Sequence, residues 1–401
     1  MHIRWWILAA LFASTVINFV DRQALSIVGP LLRDKLTLSN QQFSYIQTGF
    51  MLGMLCGELP QGWLMDRRGT RIGLTFAVAW WSLANALHAF GTSLVHFIGL
   101  RYWLGTGECG NYSGGNKAVA RWFPLEERAL AVGVFNGGAA LGNVLALPAI
   151  TWILLHWGWH WVFLLPSALG LMWAFWWWRL LGHAERTNPV PAGETEPAPA
   201  TARLLGTRQA WGLMLCRALA GPVVQFFLFW MPEYFFRQRG MSLKEIGYSV
   251  WLPFLCGDLG SMAGGWFAGQ LIRRGASVRQ ARLTAMAAGA ACCLASLGIF
   301  GAATSTGAIA LMCVVLFGHY FLSANMFTAV SDLMPQSAVG RTTALTGIAG
   351  GLSGAAFPLA VGILLDRVSY APVFAMVAVM PALGVLALFW INRRFEQATL
   401  E

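Results

Sequence analysis

The sequence is short of charge. Asp, Glu, Lys and Arg make up 11% of its 401 residues, where a soluble domain carries about 25%. Acids are the scarcer sign, 17 against 27 Lys and Arg. Hydrophobic residues reach 57% and the mean hydropathy is +0.58. Such a chain cannot coat a water-facing surface of ordinary polarity, so it reads as an integral membrane protein. Cysteine is sparse too. The 7 Cys lie scattered in apolar runs, with no spacing that suits a disulfide framework or a metal site, and read as small buried hydrophobes. The 7 His are isolated, at His2, His88, His96, His156, His160, His183 and His319, so no HExxH pair or nucleophile–base arrangement is present. Neither a metal nor another cofactor is expected, and no enzymatic activity. A cleavable leader is not expected either: the first apolar run is too long and lacks a small-residue cleavage pattern.

What is abundant is long apolar stretches. A bilayer core needs about 20 apolar residues per helix. Segments of that size fall near 5–32, 43–65, 73–91, 94–116, 129–150 and 159–181, then near 209–236, 247–271, 281–302, 308–331, 342–364 and 370–392. This predicts an all-α membrane protein of twelve transmembrane helices in two six-helix bundles, 1–182 and 208–401. Between them, 183–207 contains "HAERTNPVPAGETEPAPATAR", whose Pro, Glu and Thr suit a solvated cytoplasmic linker.

The net charge of +10 follows the loops. With both termini inside, Lys and Arg crowd the inner loops over the outer ones by roughly three to one, the bias that orients membrane proteins. The basic balance therefore needs no nucleic acid. The halves also echo each other. "GWLMDRRGTR" follows the second span and "GWFAGQLIRRG" the eighth; "CGEL" and "CGDL" recur in the same paired spans. Repeated halves of this kind are a transporter signature.

Gly62, Asp66, Arg67, Gly69 and Arg71 form G-x-x-x-D-R-x-G-x-R, which resembles the loop 2–3 motif of the major facilitator superfamily. Within it, "NFVDRQALSIVGPLL" and "RYWLGTGECGNYSGGNKAVARWFP" resemble the anion:cation symporters, in particular the hexuronate-transporter branch. The resemblance spans the chain. It implies proton-coupled import of a sugar acid such as galacturonate or glucuronate across a bacterial inner membrane. Neighbouring branches carry galactonate, glucarate or tartrate, and an exporter of the same fold is a further alternative.

Charges inside the spans point to function, because each costs about 2.5–3.5 kcal/mol at mid-bilayer on the insertion scale. Asp21 and Arg22 are neighbours in the first span. They project about 100° apart and must find partners on other helices. Arg22 offers a planar, permanent cation for a carboxylate; Asp21 is a candidate proton site. Arg101 and Glu108 lie two turns apart on one face of the fourth span. The resemblance implies that Glu108 couples protons and that Arg101 pairs with it in one state, so that protonation frees Arg101. The alternative for each group is a static interhelical ion pair. Arg217 is a second candidate for an anionic substrate or a snorkelling surface group.

A sugar acid needs hydrogen-bonding groups around its hydroxyls. Asn18, Tyr112, Asn136, Gln225, His319, Ser323 and Asn325 are the polar candidates. Phe19 stands where the resembling branch often carries Tyr, a lost hydroxyl that bears on substrate preference. Asp66, Arg67, Arg71 and Arg128 read as conformational latches at the inner loops, with Glu58 and Asp258 as gating or further proton groups. Most of the 20 Trp read as an interfacial belt. The expected partners are the bilayer, protons and a small anion, and nothing demands more than a monomer.

Overall fold

The computed structural model describes residues 3–123, 125–187, 201–396 and 398, and among them the chain is helical with no strand. Residues 188–200, most of the expected linker, lie outside that set. The first helices are α1 (Ile3–Leu36), α2 (Asn40–Leu87), α3 (Leu94–Glu108), α4 (Gly110–Trp122), α5 (Leu125–Trp157) and α6 (Trp159–Thr187). A short α7 (Thr201–Leu205) precedes α8 (Arg208–Ala220), α9 (Pro222–Arg239), α10 (Leu243–Ser249), α11 (Leu252–Arg273), α12 (Val278–Cys293), α13 (Ser305–Leu333), α14 (Gln336–Arg367) and α15 (Tyr370–Ile391).

Local chemistry sets the ends of these helices. Ser39 and Gln42 close a reciprocal capping box at the start of α2, as Ser277 and Gln280 do for α12. Ser242 and Glu245 do the same for α10, and the Ser242 donors hold the Glu245 carboxyl below its ordinary pKa. Within α2 the chain turns at Gly69, whose φ of +74° is open to glycine and strained for other residues. Two expected spans meet there. The span expected over 94–116 is divided at Cys109 into α3 and α4, and the one over 209–236 at Gly221 into α8 and α9. Pro222 opens α9, where its missing N–H costs nothing.

Eight helical runs are long and apolar enough to cross a membrane: Ile3–Leu36, Ala131–Trp157, Trp159–Arg186, Arg208–Arg239, Val278–Gly298, Ser305–Leu333, Arg341–Arg367 and Tyr370–Ile391. The other four expected spans coincide with α2 on either side of Gly69, with α3–α4, and with α11.

Two compact units emerge, one of Met1–Glu194 with Pro232–Trp251, the other of Thr195–Met231 with Leu252–Glu401. In the first, α1 packs on α5 and α6, and α2 on α3, α4 and α6. Lipid is as apolar as a side chain, so helices gain by close contact rather than by leaving water. Gly53 and Gly57 supply that contact. A Cβ on Gly53 would lie 2.1 Å from the Tyr102 carbonyl oxygen, and one on Gly57 2.6 Å from the Thr106 backbone. The end of α9 and all of α10 belong to this unit, and α10 packs on α5 through Gly247 against Thr151.

The second unit repeats the device. Gly260 and Gly264 of α11 meet the backbone of Phe317 and Phe321 of α13, with a Cβ on Gly260 falling 2.2 Å from the Phe317 oxygen. An apolar core of Leu213, Cys216, Met286, Leu322, Met326, Leu333 and Leu388 joins α8, α12, α13 and α15. Many large hydrophobics point outward instead, among them Trp6, Trp157, Trp161, Trp266 and Trp390, as a lipid-facing surface requires.

Candidate functional site

Asp21 sits midway along α1 and is fully buried. Its Oδ1 accepts a 2.8 Å hydrogen bond from Nδ2 of Asn85 on α2, while Oδ2 has no partner among the described residues. Asn85 also reaches the Phe163 carbonyl at 3.4 Å, tying the pair to α6. Trp81, one turn before Asn85, is equally buried and sets its indole beside the Asp21 carboxyl. His88 closes this corner: its Nδ1–H donates to the Ala84 carbonyl at 2.8 Å and its ring stacks on Phe163.

Arg22 points to α3. Its Nε donates to Oε2 of Glu108 at 2.6 Å, and the two side chains are only 9% and 0% exposed. Arg101, also fully buried, donates Nη2 to the Arg22 carbonyl at 3.5 Å, and its Nε and Nη1 have no partner among the described residues. Phe50 lies 5.7 Å from both guanidinium carbons, a ring shared by two cations. Two acids and two bases thus share one buried group with no net charge when all are ionised. That balance makes their burial tolerable.

Glu108 is bonded here to Arg22 rather than to Arg101, whose expected pairing with it belongs to one conformational state. Seven residues along a helix rise about 10.5 Å, so Arg101 and Glu108 share a face without meeting. Arg22 reaches over from α1 and takes the carboxylate. Asp21 and Arg22 do find separate partners on separate helices, as their angular spacing demands.

The remaining candidates scatter. Asn18 is fully buried with neither amide atom bonded among the described residues. Tyr112 sets its ring edge-on to Phe135 at 5.8 Å, and Asn136 is exposed. In the second unit, Arg217 lines a small pocket with Leu213, Met326, Phe327, Val330 and Thr346, its guanidinium 4.9 Å from the Phe327 ring. His319 and Ser323 share a face, 3.4 Å apart between Nε2 and Oγ. Gln225 is half-buried. Asn325 is committed to packing: its Nδ2 donates to the Gly264 and Phe321 carbonyls, and its Oδ1 accepts from Arg282, which also binds Asp332 at 2.8 Å.

Of the latch residues, Arg71 stacks 4.1 Å over Trp178 and donates to its carbonyl at 3.2 Å, fastening the loop after the second span to α6. Arg67 lies over Trp63. The side chains of Asp66 and Arg128 lie outside the described residues. Glu58 is exposed and Asp258 half-buried, and neither has a partner among the described residues. No cluster there could hold a metal ion.

Sequence reasoning passed over several groups. Asn85, Trp81, Phe50 and Met54 carry no charge, so nothing marks them within a helix. A second ionic cluster had a readable signal. Glu233 is an acid inside "FLFWMPEYFF" and is 1% exposed; it binds Arg33 and, at 2.9 Å, Arg237, which also binds Asp34. Counting Arg33 and Arg237 as loop charges hid it.

Residues 11–358 match the model of the Major Facilitator Superfamily. The chain is 30% identical to a hexuronate transporter of Escherichia coli (strain K12) over 97% of this chain and 94% of that protein. It is equally 30% identical to a D-galactonate transporter of Escherichia coli O6:H1, over 96% and 94%. Among solved structures, a bacterial homolog of the human lysosomal transporter Spinster superposes with a TM-score of 0.81 at 18% identity, over 99% of each chain.

Proposed function

The chain belongs to the Major Facilitator Superfamily, as a multi-pass transporter of the bacterial inner membrane rather than an enzyme, and on that premise we propose that it imports a hexuronate-type sugar acid, galacturonate or glucuronate, together with protons by alternating access. The observation that carries the reading is the buried Arg22–Glu108 pair with Asp21 beside it. A guanidinium has two edges for carboxylates. Glu108 holds one at Nε, and the terminal nitrogens are left for an incoming anion.

Coupling follows from competition for one cation. With Glu108 ionised, Arg22 is already neutralised and a second carboxylate gains little. When Glu108 takes a proton, Arg22 becomes an unpaired buried cation, and the substrate carboxylate is the group that neutralises it. Proton and anion then load together and leave together. Asp21, held by Asn85 on the neighbouring helix, is the second proton site. Arg101, tethered to the Arg22 carbonyl, is a second buried cation beside the pair. Asn18, Tyr112, Asn136, Arg217, Gln225, His319 and Ser323 are the candidates for the hydroxyls, and Asp66, Arg67, Arg71, Arg128, Glu58 and Asp258 for gating.

The test is uptake of labelled galacturonate and glucuronate into proteoliposomes, with and without an inward proton gradient. Accumulation that collapses with a protonophore is the expected result; gradient-independent equilibration refutes symport. A second reading, import of galactonate or an aldarate, is favoured by the equal similarity to the D-galactonate transporter. Counterflow with each acid in turn separates the two.

A further inference from the structure

The surroundings of Arg22 bear on which carboxylates it takes. Its Nε is committed to Glu108, and Nη1 makes no hydrogen bond among the described residues. Nη2 meets only the Met54 sulfur, at 3.8 Å, and a thioether is a weak acceptor. The guanidinium carbon lies 4.7 Å from the Phe19 ring and 5.7 Å from the Phe50 ring. Phe50 is buried, while Phe19 and Met54 are half-buried. Two parallel N–H groups are therefore free for a bidentate carboxylate, inside a wall of two phenyl rings and a thioether. None of the three side chains donates a hydrogen bond, and none accepts a strong one.

We propose that Arg22, Phe19, Phe50 and Met54 form an apolar-walled carboxylate subsite that selects acids whose carbon next to the carboxylate carries no hydroxyl. This deepens the sugar-acid reading above and rests on it. A bidentate carboxylate fixes the direction of its neighbouring carbon, so a substituent there is pressed against the wall. A hydroxyl in that place leaves water and finds no partner on Phe19, Phe50 or Met54, which costs on the order of tenfold in affinity, about 1.4 kcal/mol. A ring carbon bearing only hydrogen and an ether oxygen has no donor to strand. The pyranose form of a hexuronate has that pattern; the open-chain aldonates and aldarates carry the hydroxyl. The subsite thus sorts ring acids from open-chain acids of similar size and charge.

Matched pairs test the proposal. The full-length protein in detergent is titrated calorimetrically with glucuronate and gluconate, and with cyclohexanecarboxylate and 1-hydroxycyclohexanecarboxylate, which differ only in the hydroxyl. In each pair the acid without the adjacent hydroxyl is expected to bind about tenfold tighter. Phe19→Tyr and Met54→Gln place a hydrogen-bonding group in the wall, and each is expected to pull the ratio toward unity. Equal binding within both pairs, or a ratio that neither variant moves, overturns the subsite. Failure of all four acids to bind overturns the subsite and the sugar-acid reading together. The expected ratios without proton-driven uptake of glucuronate leave the subsite standing and sink the symport reading alone.

Discussion

Replacing Glu108 by Gln separates the two jobs proposed for this residue. The carboxylate accepts from Arg22 Nε at 2.6 Å and is fully buried. A hydrogen bond to a charged group contributes about 1.5–3 kcal/mol net and a neutral one about 1. The amide keeps an acceptor of nearly the same shape, so Glu108→Gln costs about 1–2 kcal/mol. Removing the partner altogether, as in Glu108→Ala, leaves an uncompensated buried cation at about 3–5 kcal/mol. The Gln variant is therefore expected to fold and to bind substrate, because it mimics the protonated acid. What it cannot do is release a proton. One proton carried with one monoanion lets a gradient of one pH unit support about tenfold accumulation, equivalent to about 1.4 kcal/mol. The assay is uptake into proteoliposomes under that imposed gradient, beside counterflow at equal pH. Wild type is expected to concentrate the acid about tenfold. Glu108→Gln is expected to stop at equal concentrations while its counterflow stays within about tenfold of wild type. Full accumulation by the variant refutes the coupling role, whatever Arg22 does.

Four other outcomes are expected. Arg22→Ala abolishes transport and counterflow alike, since both need the cation; counterflow that survives it removes Arg22 from the binding site. Asn85→Leu takes away the amide that donates to Asp21 Oδ1 and is expected to lower stability in detergent by about 1–3 kcal/mol, read from a denaturation midpoint that should not stay in place. Asn325→Ala loses bonds to Gly264, Phe321 and Arg282 and is expected to lower stability with the substrate KM unaltered; a raised KM with normal stability would make Asn325 a substrate ligand instead. Gly53→Ala forces a Cβ to 2.1 Å from the Tyr102 oxygen and is expected to destroy the monodisperse folded yield, whereas Gly99→Ala, with open space around it, is tolerated.

The outer cluster offers a check of a different kind. Glu233 is buried between Arg33 and Arg237. Exchanging charges in the double variant Arg33→Glu with Glu233→Arg is expected to recover part of the stability that either single change loses. No recovery would mean that Arg33 and Glu233 are not coupled.

How much of this could be read in advance differs by residue. Asp21 and Arg22 were legible because ionised groups are rare in an apolar run and stand out by composition alone. Their partners were not. Asn85 and Trp81 are ordinary helix residues until α2 lies beside α1. Arg101 and Glu108 share a face, but a helix separates residues by rise as well as by angle, and the group that meets the Glu108 carboxylate comes from another helix. The span near 209–236 was found by its apolar length, but its break at Gly221 and the packing of its far end with the first unit depend on contacts distant in the chain.

The sequence by itself determined the membrane class, the twelve apolar segments, the repeated halves and the handful of charges that must be functional or paired. All of these follow from local quantities: the length of an apolar run, the sign of a loop, the cost of a charge in hydrocarbon. Tertiary structure alone decided that Arg22 meets Glu108, that Asn85 holds Asp21, that Glu233 is buried between two arginines, and that Phe19, Phe50 and Met54 surround the cation. The Arg22–Glu108, Asn85–Asp21 and Arg33–Glu233 pairings join residues 86, 64 and 200 positions apart in the chain. A bilayer imposes the need for partners on every buried polar group, and only the packing of the helices chooses which partner each one receives.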